Sequence, residues 1–200
     1  MNQIGGIYDE NGTITRTIEN NTIIITYNKN NKGKANFTSI RDEVKEKTNL
    51  TSIQLINIVD FINNYRYKLY WAIQIIKSGV YFDLSILQRI TTIICDNNKL
   101  SDVDNHIFDY IGELIQLFPN VSILSFKNCK LNKKSAIELK KVLMKLPKTI
   151  PITEINLENN KDLTPEIIEF IKNAKPTITI TTTTSDKGSF LLYSDEFEVG

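Results

Sequence analysis

The chain has 200 residues, of which 41% are hydrophobic and 24% charged, and its formal net charge is +1. That length suits one domain with a real core or an elongated array of small units. A balance so close to neutral gives no reason to expect a nucleic acid, an anionic membrane or a polyanion as partner.

The opening residues, MNQIGGIYDENG, lack the basic start and apolar core of a secretory signal. Residues 1–21 are expected to form a capping hairpin that turns across DENG, because Asn11-Gly12 is a tight-turn pair. TIIITYNKN follows as a strand, with Ile25, Tyr27 and Asn30 at positions four, six and nine of a unit starting at Thr22. A helix is expected from Ser39 to Glu46. EKTNLTSIQLINI then places Leu50, Ile53 and Leu55 at positions one, four and six of a second unit, with Ile58 at nine. The same stretch can be read as a helix from Ser52 to Asn63 capped by Thr51. The strand reading is preferred because the segment follows a helix, as later strands do. Further on, Leu69, Ala72, Ile73 and Ile76 make a helical stripe that ends at Gly79. Tyr65, Tyr67, Tyr70 and Trp71 lie around it, and Trp71 falls off the stripe. Tyr and Trp are enriched at binding hot spots, so Trp71 is a candidate contact, although such aromatics also fill cores.

From residue 90 the pattern becomes regular. ITTIICDNNKL, VSILSFKNCKL and ITEINLENNKDL begin at Ile90, Val121 and Ile152, each 31 residues after the last. All three carry apolar residues at positions one, four and six. Asn98, Cys129 and Asn160 stand at position nine, and Leu100 and Leu131 at eleven; Leu163 closes its unit one residue late. Helical stripes separate them. Ile107, Ile111, Leu114 and Ile115 lie within 102–117, which Ser101 or Asp102 can cap and Pro119 stops. Ala136, Leu139, Val142 and Leu143 precede Pro147. Ile167, Ile168, Phe170 and Ile171 follow Thr164-Pro165, a cap with proline at the first helical position. A fixed period of this kind is the signature of a solenoid. After Pro176, TITITTTT suits an edge strand that closes the array, or the start of a low-complexity tail.

These units resemble the leucine-rich repeats, specifically the long strand-helix type of ribonuclease-inhibitor-like proteins, whose template is LxxLxLxx(N/C)xL. The resemblance implies an α/β fold: a short horseshoe solenoid with parallel strands on the concave face, helices on the convex face and an N-terminal hairpin cap. It implies that Asn98, Cys129 and Asn160 hydrogen-bond the turn backbone as a ladder between repeats. The expected organisation is a cap over 1–21, degenerate repeats with a helical insertion over 22–89, regular repeats and a closing strand over 90–184, and an acidic tail over 185–200.

Little in the chain suggests chemistry. His106 is the one histidine, and no serine or cysteine motif accompanies it. Cys95 holds a core strand position and Cys129 a turn position, so no disulfide framework, Cys-His pair or zinc site is expected. No glycine-rich phosphate loop occurs. No cofactor, metal or catalytic residue is therefore expected, and no segment is apolar for the ~20 residues that a membrane span needs. An enzyme whose N-terminal part goes unrecognised, and a passive scaffold, are the rival readings.

The expected activity is protein binding. Between the buried strand positions lie Thr92, Ile94, Asp96 and Asn97, then Ile123, Ser125, Lys127 and Asn128, then Glu154, Asn156, Glu158 and Asn159. Thr26, Asn28, Gln54 and Ile56 join them if the upstream repeats are real. Apolar anchors among polar contacts suit a protein partner. The resemblance implies a monomer that covers, and so inhibits or regulates, a partner's surface. Cysteine usage points to a reducing, intracellular setting. Asp195, Glu196 and Glu198 look like the acidic signals of type IV secreted effectors of intracellular bacteria, which would make the partner a host protein or a co-secreted effector enzyme.

Overall fold

The computed structural model of the chain describes residues 13–28, 49–57, 84–101 and 106–183. Within them runs one seven-stranded sheet whose strands lie side by side in chain order. β1 (Thr13–Glu19) pairs antiparallel with β2 (Thr22–Asn28). From β2 onward every pairing is parallel, through β3 (Ser52–Ile56), β4 (Thr92–Ile94), β5 (Ile123–Ser125), β6 (Glu154–Asn156) and β7 (Thr179–Thr181). The fold is α/β, as the sequence implies. Four helices are described: α1 (Leu84–Arg89), α2 (His106–Gln116), α3 (Lys133–Lys145) and α4 (Pro165–Lys172).

Alternation along each strand decides what is buried. Ile53 and Leu55, then Ile93 and Cys95, Leu124 and Phe126, and Ile155 and Leu157 point into one core. Ile107, Ile111 and Ile115 of α2, Leu139 and Leu143 of α3, and Ile171 of α4 meet them there. Each fully buried Leu or Ile contributes about 1.5–3 kcal/mol, and no one unit could bury its apolar side alone. The residues between them in the strands form a second, open face.

Local chemistry sets the helix ends. Asn132 caps α3 by accepting from the Ser135 N–H, while the Ser135 hydroxyl accepts from the Asn132 N–H. Thr164 caps α4 with Pro165 at its first turn, as expected. Within the stripe expected there, Ile171 is buried but Phe170 is 39% exposed. Lys140 covers the Phe170 ring, its ammonium 3.8 Å from the centroid. Helix α2 begins at His106, and Asp102, one of its expected caps, lies outside the described residues. α1, a short helix before β4 that buries Leu87, is an element the sequence pattern does not announce.

The hairpin differs in place from the expectation. β1 and β2 join across Asn20-Asn21, with Asn20 at φ 53°. Asparagine tolerates that left-handed backbone better than most residues. β2 is thus the hairpin's second arm as well as the first parallel strand. The Asn11-Gly12 turn lies outside the described residues. The upstream register also shifts by two. Ile23 pairs with Ile53 and Ile25 with Leu55, so Ile23 and Ile25 hold positions four and six, not Ile25 and Tyr27. Ile23 is 1% exposed and belongs to the core; a slide by two keeps the same side of β2 inward, so alternation alone leaves the register open. Ser52–Ile56 is strand and not helix, and Thr179–Thr181 adds the last strand of the described sheet as β7. The expected helices over 39–46 and 69–76 lie outside the described residues, as do Trp71 and the acidic C-terminal segment.

Candidate protein-interaction face

The turn after each strand fixes the site's rim. Asn57, Asn97, Asn128 and Asn159 all occupy position eight, with φ of 59°, 61°, 54° and 59°. Asparagine is one of the few residues that enters this region cheaply. Their first role is to turn the chain, ahead of the partner contact that the sequence suggests for Asn97, Asn128 and Asn159. Asn57 does so even in the degenerate unit, where position nine is an isoleucine. This column is visible in the sequence once the units are stacked.

Beneath it lies the ladder that the resemblance implies. The Asn98 amide donates to the carbonyls of Leu55 and Cys95, at 2.9 and 2.8 Å. Asn160 repeats this one unit further on, donating to Phe126 and Leu157 at 2.8 and 2.9 Å. Its oxygen accepts from the N–H groups of Cys129 and Leu131. The Cys129 thiol donates to the Cys95 carbonyl, 3.0 Å away. Each ninth side chain thereby joins the sixth-position carbonyl of the preceding unit to its own turn. A second, weaker ladder of hydroxyls runs at position two. Thr91 reaches Thr51, Ser122 reaches Thr91, and Thr153 reaches Ser122, at 3.4, 3.5 and 3.3 Å.

On the open face the register sets Thr92 beside Ile123 and Glu154, and Ile94 beside Ser125 and Asn156. The expected site residues on β4, β5 and β6 are therefore brought together. Several are already engaged within the chain. The Asp96 carboxylate accepts from the Ser125 hydroxyl at 2.6 Å and from the Lys127 N–H at 2.9 Å. Ser125, expected as an open contact, is consequently buried. Lys127 pairs with Glu158 at 2.8 Å, and that ammonium holds the Glu158 carboxyl below the usual carboxylate range. Asn156 accepts from the Glu158 N–H, and Asn128 donates to Asn97. Ile94, Ile123, Thr92 and Glu154 are half-exposed and make no hydrogen bond or ion pair through their side chains within the described residues. Gln54 and Ile56 extend this face onto β3, and Thr26 onto β2.

The cysteines serve the core. Burial pushes the Cys129 thiol up to about 12 and Cys95 well above its ordinary value. Both are free. A buried neutral thiol is a poor nucleophile. At pH 8 neither thiol should react with a thiol reagent in the native protein, and both should react after denaturation. Rapid native labelling would contradict the burial. Because their native values are raised, both thiols favour folding below the ordinary thiol value of 9.0. For Cys129 that contribution is lost as the pH rises from there toward about 12.

Among the described residues no group of three His, Cys, Asp or Glu side chains could hold a metal ion. Among them, too, no helix is long and apolar enough to cross a membrane. No family model matches the chain, and no curated protein is significantly similar to it.

Proposed function

We propose that the chain is a leucine-rich-repeat module of the ribonuclease-inhibitor-like type, and that it binds a partner protein across its open sheet face. The observation that carries this reading is the pair Ile94 and Ile123. They are half-exposed diagonal neighbours on adjacent strands, beside Ser125, Asp96, Lys127 and Glu158, whose side chains already engage one another. A partner that covers them gains apolar contact, needs a donor for the carboxylate of Glu154 beside Ile123, and meets a face held rigid before binding. The mechanism is occlusion. The partner's surface is covered, and its activity falls if that surface holds an active site.

The test is an affinity capture from lysate with the wild-type chain and an Ile94→Arg, Ile123→Arg variant. The reading expects a protein bound by wild type and lost by the variant, with both chains equally folded by circular dichroism. A partner held equally by both would remove the open face from the account.

A further inference from the structure

We infer that a strip of lysines along the turn edge of the sheet is a second docking surface, one that takes an acidic segment of a protein. It stands independently of the open-face reading. Position ten of each regular unit is a lysine: Lys99, Lys130 and Lys161. All three are exposed, between the buried residues at nine and eleven or at the exposed turn of the last unit. The turns carrying them are stitched together. Asn97 N–H donates to Lys127, Leu100 N–H to Cys129 and Asn128 N–H to Glu158, at 2.9, 2.8 and 2.9 Å. Successive lysines therefore stand one strand spacing apart, about 4.8 Å. Lys133 and Lys134, exposed at the start of α3, follow closely after Lys130.

Nothing in the turns themselves calls for a lysine at Lys130 or Lys161. Like charges on neighbouring rungs repel. Among the described residues no carboxylate pairs with Lys130, Lys133, Lys134 or Lys161. Lys130 also sits at φ 53°, where asparagine or glycine is less strained. The nearest acids in the turns face elsewhere. Asp96 is taken by Ser125 and the Lys127 N–H, and Glu158 by Lys127. Among the described residues of the strip, Asp162, exposed beside Lys161, is the one acid.

Charge complementarity names the occupant. A short row of ammonium groups suits carboxylates on an extended acidic segment, whose same-side side chains repeat every ~6.7 Å and lie within reach of flexible lysines. A nucleic acid or an anionic bilayer is drawn by charge over a much larger area, and the net charge of +1 supplies none.

The experiment titrates the full chain with a fluorescent peptide of alternating glutamate and serine, read by anisotropy. The comparison is between wild type, Lys130→Asn with Lys161→Asn, and a control with Lys148→Gln and Lys172→Gln. The control lysines are exposed elsewhere. The proposal expects wild type to bind, with affinity falling as salt rises from about 20 to about 200 mM. It expects the strip variant to bind about fivefold more weakly, the control to match wild type, and the strip variant to melt no lower than wild type. Absence of binding, or equal weakening in the control, overturns it. So does tighter binding of a single-stranded RNA or of phosphatidylserine vesicles than of the peptide.

Discussion

Asn160→Ala should destabilise the chain by about 3–5 kcal/mol, because several buried polar groups lose their partners at once and each costs about 1–3 kcal/mol. The Asn160 oxygen accepts from the Cys129 and Leu131 N–H groups, and its amide donates to the carbonyls of Phe126, Leu157 and Glu158. The side chain is 7% exposed, so water cannot replace it. Small domains are stable by about 5–15 kcal/mol, which makes this loss a large share of the total. Asn160→Asp is expected to be at least as damaging. It keeps the acceptor, loses the donors and buries a charge. Asn160→Cys should lose less than alanine, because Cys129 fills the same position in its own unit and still reaches the Cys95 carbonyl. Urea unfolding of the three variants measures the order. A loss under about 1 kcal/mol for alanine would mean that the ladder does not hold the units together.

Leu124→Ala is the second large effect. Leu124 is 1% exposed at the centre of the core, and such truncations cost about 2–5 kcal/mol. Its neighbour Ile123 points to the open face, so Ile123→Ala should cost less than about 1 kcal/mol. The pair separates the two faces of β5 with one substitution chemistry. Units in such an array are stabilised by their neighbours, so the Leu124 loss should lower the melting of the whole array in one transition. Equal effects at 123 and 124 would contradict the strand's orientation.

The regular part of this architecture is legible in the sequence because it repeats. Apolar residues at one, four and six specify a strand buried on one side, and a 31-residue period fixes which residues stack. The parallel register follows, with Thr92, Ile123 and Glu154 in one row. Upstream the signal fails for a physical reason. β2 reads TIIITYN, a run of isoleucines in which the frame can slide by two and still offer apolar residues to the core. Only its pairing with β3 settles that Ile23, and not Ile25, holds position four. Asn11-Gly12 is the stronger tight-turn pair by residue type, but β1 and β2 turn at Asn20-Asn21, so one strand serves both as hairpin arm and as first parallel strand.

The site was legible as a set of neighbours and not as a set of roles. Alternation brings Ile94, Ile123 and Glu154 to the open face. It cannot say that Ser125 turns its hydroxyl to Asp96, or that Lys127 and Glu158 close on each other, since those bonds join units 31 residues apart. In the sequence Asn97 and Asn128 look like contacts because they are polar residues at the open end of each strand. Their left-handed backbone gives them a structural duty first.

The central claim is that the open sheet face, and not the helical side, receives the partner. Met144 supplies the contrast: at 66% exposed on α3, it is more exposed than Phe170, the other large apolar side chain exposed on the described helices. A photo-reactive phenylalanine placed at position 94, 123 or 144, irradiated with the captured partner, decides between the faces. The account predicts crosslinks from 94 and 123 and none from 144. A crosslink from 144 alone would contradict it and move the binding surface to the helices.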